Sequence, residues 1–149
     1  MKKIKTVMMV ALLLISNVGF AQQLNDNIKK AFKADDATAL LTEIKNQKVT
    51  INDCFNIEDI SYSLLSLSIK MNKPNIFNQL IEQKVDVNKI CSEKSPLMYT
   101  AKYGLLDFAK ALVKAGADIS AKSATGKTAY DYAVKYEKLA LQSLLKPVK

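Results

Sequence analysis

Apolar residues recur along the chain in two rhythms. Val7 to Ile15 is an unbroken apolar run, whereas from Leu40 onward apolar residues return at helical spacing. Three segments share one frame: SLLSLSIKMN from Ser63, SPLMYTAKYG from Ser95 and TAYDYAVKYE from Thr128, with successive starts 32 and 33 residues apart. In each, a hydroxyl residue stands where it caps a helix and apolar residues follow three and four apart. A lysine with a large side chain then closes the turn. Pro96 fits the first helical position. A second apolar stripe follows every time: Ile76, Phe77, Leu80 and Ile81; then Leu105, Leu106, Phe108, Ala109, Leu112 and Val113; then Leu139, Leu141, Leu144 and Leu145. Upstream, QKVTIN at 47–52 echoes QKVDVN at 83–88 and marks a fourth, divergent unit, whose preceding helix uses Leu40, Leu41 and Ile44. Its connection from Asn52 to Ser63 is longer than the one from Asn88 to Ser95, which predicts an extended loop. Helices this short do not persist alone in water, so the pattern predicts paired helices that bury their stripes by stacking on the next pair. The expected fold is an all-α helical-hairpin solenoid of about four units, over 27–62, 63–94, 95–127 and 128–146.

The first apolar run has a different destination. Lys2, Lys3 and Lys5 precede it, its nine residues are too few to span a bilayer, and Gly19 and Ala21 occupy the small positions of a cleavage site followed by Gln22 and Gln23. Residues 1–21 are therefore expected to be an export signal, and 22–149 a single domain, placed in the periplasm or released outside. No membrane association is expected after signal removal. All 22 basic residues are lysines, three of them in the signal, and 14 residues are acidic, so the remaining chain is only mildly basic. Without arginine it lacks the planar fork that grips phosphates and guanine edges, which argues against a nucleic-acid partner.

Ser95 to Ala121 resembles an ankyrin repeat. Ser95-Pro96-Leu97, Ala101, Gly104 and Gly116-Ala117-Asp118-Ile119 match that family's pattern in place, and Gly126 to Thr128 matches the turn into the next unit. Asn72 stands for the first glycine in its unit, and Asp36 and Glu137 in theirs, while Met98 replaces the family's histidine. The resemblance covers residues 27–146 and is weakest in the first unit. It implies tiles of two antiparallel helices and a projecting hairpin, in which Gly104 and Gly116 serve backbone turns, and a non-enzymatic role in binding another protein.

Catalytic chemistry finds little support. The chain has no histidine, which excludes histidine-based triads and histidine-ligated metal sites. Two cysteines alone cannot build a structural zinc site, and no cofactor is expected. Asp35-Asp36 and Glu58-Asp59 are adjacent carboxylates, which diverge on a helix and commonly serve as caps or loop residues. Gly126-Lys127-Thr128 lacks the leading glycine of a phosphate loop and reads as a hairpin and cap.

Cys54 and Cys91 fall in the connections of consecutive units, and in an exported chain they are either bonded or free. Family-like loops project side by side, which allows a disulfide. Equivalent points on neighbouring tiles, however, lie farther apart than the roughly 7 Å that such a bond tolerates. The surface carries one repeating feature: Lys70-Met71, Lys102-Tyr103 and Lys135-Tyr136 end the first helix of three successive units. By the resemblance, this place and the hairpin tips, here Lys122, Thr125 and Lys127, line the concave face that binds a partner. Lysines alternating with adaptable apolar groups suit an acidic protein surface. The expectation is an exported monomer that presents this face to one protein partner. Alternatives are an inhibitor or immunity-type protein that blocks a cognate enzyme, an accessory factor for an exported enzyme, or an enzyme using surface carboxylates.

Overall fold

Four helical hairpins follow one another in residues 22–148, the part of the chain described by the computed structural model. The expected export signal, 1–21, lies outside it. The pairs are α1 (Asp26–Ala34) with α2 (Ala37–Gln47), α3 (Leu64–Lys70) with α4 (Pro74–Glu82), α5 (Pro96–Tyr103) with α6 (Leu106–Lys114), and α7 (Ala129–Lys135) with α8 (Leu139–Leu145). The first helix of each pair starts on a side-chain cap that satisfies backbone N–H groups left without intrahelical partners. Asn25, Ser63, Ser95 and Thr128 accept from Ile28, Ser66, Met98 and Asp131, at 2.8, 3.1, 3.4 and 3.2 Å. Asp131 returns the favour by accepting from the Thr128 N–H at 2.8 Å, closing a capping box that lowers its own carboxyl pKa.

Stacking buries both helical stripes. α3 packs on α5 and α5 on α7, with Leu64, Leu67, Leu97, Met98, Ala101, Ala129 and Ala133 essentially inaccessible. On the second layer, Phe77 of α4 stacks on Phe108 of α6 with ring centroids 4.3 Å apart, and Ile76, Leu80, Ala109, Leu112, Leu141 and Leu145 complete the core. Val113 and Leu139, which the pattern placed on the buried stripe, are exposed; they sit at the rim of that stripe, and Leu139 opens the last helix.

The all-α expectation needs correction between Asn52 and Ser63. The segment read as an extended loop forms a hairpin, β2 (Cys54–Ile57) and β3 (Ile60–Ser63), and β1 (Gln22–Gln23) adds to β2 in parallel. Phe55 and Tyr62 face each other across the hairpin and are both buried, so alternate residues pay the hairpin's ordering entropy with apolar burial. Glu58 takes a left-handed conformation, and Glu58-Asp59 forms the turn of the hairpin.

The other carboxylate pair is also architectural, with a one-residue difference from the sequence reading. Asp35, not Asp36, adopts the left-handed turn (φ 53°). Asp36 is extended and caps α2 through the Ala39 N–H at 2.9 Å. The shift lets the Asp35 carboxylate accept from Asn75 and Ile76 at 3.1 and 3.0 Å. α4, which has no cap of its own, is thus capped by the preceding unit.

The projecting connections are tied across units as well. Asn52 accepts from the Asp86 N–H and Asn88 from the Asp118 N–H, both at 2.8 Å, and the Ala124 N–H donates to the Glu93 carbonyl at 3.1 Å. Cys54 and Cys91 are joined in a disulfide with their Cα atoms 5.7 Å apart. The expected separation of equivalent loop points does not apply, because Cys54 lies on β2 and the hairpin carries it back over the second unit's connection.

Candidate functional site

The ends of the first helices and the loops before them form one continuous surface of lysines and tyrosines. Tyr62 on β3 and Tyr99 on α5 lie 5.6 Å apart, Tyr99 stacks on Tyr103 at 6.3 Å, and Tyr132 on α7 stacks on Tyr136 at 6.5 Å. These stacked pairs follow from helical spacing, since residues four apart share a face. The inner rings of Tyr62, Tyr99 and Tyr132 are buried, and Tyr103 and Tyr136 carry the ladder out toward solvent.

Each ring meets a lysine. Lys102 lies 5.4 Å from the Tyr103 centroid and Lys135 5.6 Å from that of Tyr136, within the range where an ammonium is attracted to a ring face. Lys70 has no aromatic neighbour in sequence, since Met71 stands there. It turns to Tyr62 instead, 4.4 Å from the ring centroid, and donates to the Tyr62 hydroxyl at 2.8 Å.

Lys94 bridges the middle of the ladder, 5.9 Å from the Tyr99 centroid and 5.3 Å from that of Tyr132. Its ammonium pairs with Glu93. Burial alone would lower the Lys94 pKa, but the hydrogen bond to Glu93 and the nearby tyrosine hydroxyls outweigh it and raise the value. The same hydrogen bond holds the Glu93 carboxyl below its ordinary range. Burial pushes the Tyr99 hydroxyl well above the ordinary tyrosine value. The Tyr132 hydroxyl donates to Ser123 at 3.2 Å. The ladder is therefore held from both sides, by Lys94 between its rings and by Ser123 on the Tyr132 hydroxyl.

The residues singled out in the sequence divide into two groups. Thr125, Lys127 and Lys135 line one pocket with Tyr130, Asp131, Tyr132 and Val134. Lys70 and Met71 line a cavity at the other end, and Lys102 and Tyr103 lie on the span between. Lys122 is exposed beside the first group, close enough for its charge to act on Asp131. Cys54 and Cys91 form a covalent staple between units.

Sequence reasoning missed Tyr62, Lys94, Tyr99 and Tyr132. A signal was present for three of them: Tyr99 and Tyr132, like Lys94 and Lys127, sit 33 residues apart in the repeat frame. Tyr62 had none, because its ring comes from a strand. Among the described residues no cluster of three or more histidine, cysteine or carboxylate side chains is placed to hold a metal ion, and no helix is long and apolar enough to cross a membrane.

A family model described as ankyrin repeats, three copies, matches residues 64–148. The chain is also 29% identical over 113 residues, 76% of its length, to the E3 ubiquitin-protein ligase hecd-1 of Caenorhabditis elegans, of which the matched part is 4%. The model begins where α3 begins and so covers the second to fourth hairpins.

Proposed function

Since the chain belongs to the ankyrin-repeat family, whose domains generally mediate protein–protein interaction and are generally non-catalytic, we propose that it is an exported, monomeric, non-enzymatic binding module that presents the lysine and tyrosine surface to an acidic protein partner. The carrying observation is the ladder itself: four lysines each lie over a tyrosine ring along successive units. Such a surface offers positive charge for steering and rigid amphipathic rings for anchoring. Export is supported by the lysine head, short apolar core and Gly19-Phe20-Ala21. N-terminal mass analysis of protein from its native host is expected to find Gln22 first; an intact Met1 in a cytoplasmic pool would overturn this part of the reading.

Tyr103→Ala and Tyr136→Ala are each expected to weaken partner binding by roughly 1–3 kcal/mol, as the loss of an anchor does. Lys102→Glu and Lys135→Glu should chiefly slow association and reduce its dependence on salt. Lys110→Glu and Lys114→Glu make the same charge change at exposed positions of α6, away from the ladder. On-rates of both pairs at low and high salt decide the matter. An equal effect of the two pairs would mean that net charge, and no particular surface, attracts the partner.

A further inference from the structure

Between the first two units the inner layer of helices opens. α3, α5 and α7 pack on one another in turn, whereas the first unit meets the second chiefly through α2 and α4. A cavity of about 260 Å³ remains, lined by Leu24, Lys29, Phe32, Ile57, Leu67, Lys70 and Met71, with walls that are almost wholly apolar. Two of these side chains come from outside the repeat pattern: Ile57 from β2, and Leu24 from the link between β1 and α1.

We propose that this cavity seats one large apolar side chain of an acidic partner segment, whose carboxylates on either side of that residue engage Lys29 and Lys70. The proposal rests on the reading of the neighbouring ladder as a partner-binding surface and names the sequence character of the segment bound there. The volume falls below the roughly 300–1,000 Å³ of pockets that enclose whole small ligands, and suits a single side chain. The charged residues in its lining are both lysines, which selects an acidic neighbour for the apolar group.

Both lysines can respond. Lys29 pairs with Asp26 at 3.3 Å with both side chains largely exposed, a contact weak enough to exchange for another carboxylate. Lys70 spends one hydrogen on Tyr62 and has two more to donate. Met71, 40% exposed at the rim, is a flexible thioether that adapts to an incoming group. Through Lys70 and Tyr62 the cavity joins the ladder, so a segment anchored here continues along it.

The test titrates the intact chain, by fluorescence anisotropy at low salt, with two labelled peptides. One is a run of glutamates around a single central leucine, and the other has serine in its place. The leucine peptide is expected to bind on the order of tenfold tighter, as burial of that side chain predicts. Met71→Trp, which puts a ring into the mouth from an exposed position, should bring the two peptides within about twofold while leaving the helical circular dichroism unchanged. Lys29→Glu should weaken both peptides more than Lys30→Glu, its exposed neighbour outside the cavity. A leucine preference that survives Met71→Trp overturns the proposal. Equal binding of both peptides that still depends on Lys102 and Lys135 overturns it too, and leaves the ladder standing as the binding surface. Binding of neither peptide overturns both readings. Saturable binding of dodecanoate without any leucine preference would assign the cavity to an acyl chain instead of a protein segment.

Discussion

Leu112→Asp is expected to unfold the chain at room temperature, and Lys114→Asp, two residues on, to shift its stability by less than about 1 kcal/mol. Leu112 is fully inaccessible on the inner face of α6. The substitution removes apolar contacts and leaves a charge with no partner in the core, a change worth about 3–5 kcal/mol or more. A domain of this size has a total of only about 5–15 kcal/mol to lose, and a stack of tiles has no second core to fall back on. Lys114 lies in solvent in the last turn of the same helix, where reversing its charge forfeits at most a modest interaction with the helix dipole. Helical circular dichroism and urea midpoints of the two variants separate these outcomes. Equal losses would mean that the helix is turned the other way.

Cys91→Ser is the second large effect, with an expected cost of about 4 kcal/mol. The disulfide closes a loop of 37 residues, and on the chain-entropy account a link of that length removes about this much freedom from the unfolded ensemble. The expected result is a urea midpoint lowered by the same amount in Cys91→Ser and in the parent chain under dithiothreitol. Hydrogen bonds from Asp86 to Asn52 and from Ser61 to Ser92 remain in both, so the fold should survive in water. A midpoint indifferent to reductant would show that the two thiols are not joined in solution.

The second to fourth units were legible in the sequence because each repeats the same local instructions. A hydroxyl cap precedes the apolar stripe, and a left-handed residue ends the first helix. Ser63, Ser95 and Thr128 perform the caps, and Asn72, Gly104 and Glu137 the turns. What escaped was whatever depends on residues distant in the chain. The strands of the hairpin are four residues each, too short for alternation to announce them, and β1 reaches β2 from about thirty residues upstream. The nearness of Cys54 to Cys91 follows from that hairpin and was hidden with it. Asp35 and Asp36 could not be told apart by composition, since the choice between them is made by the two N–H groups of α4. In the candidate surface the outer members, Lys102, Tyr103, Lys135 and Tyr136, were readable from periodicity. Tyr62 was not, because a strand supplies it where the helix has only Leu67.

The ties between units are unevenly distributed, and this gives the array a direction. The first two hairpins are held together by a covalent staple, by the Asp35 cap on α4 and by the Asn52 contact. The last hairpin ends in α8, which has no side-chain cap and rests on Leu141 and Leu145. Amide protons of α8 are therefore expected to exchange with deuterated solvent through local opening before those of α3 and α4, which hydrogen-exchange measurements on the intact chain would check.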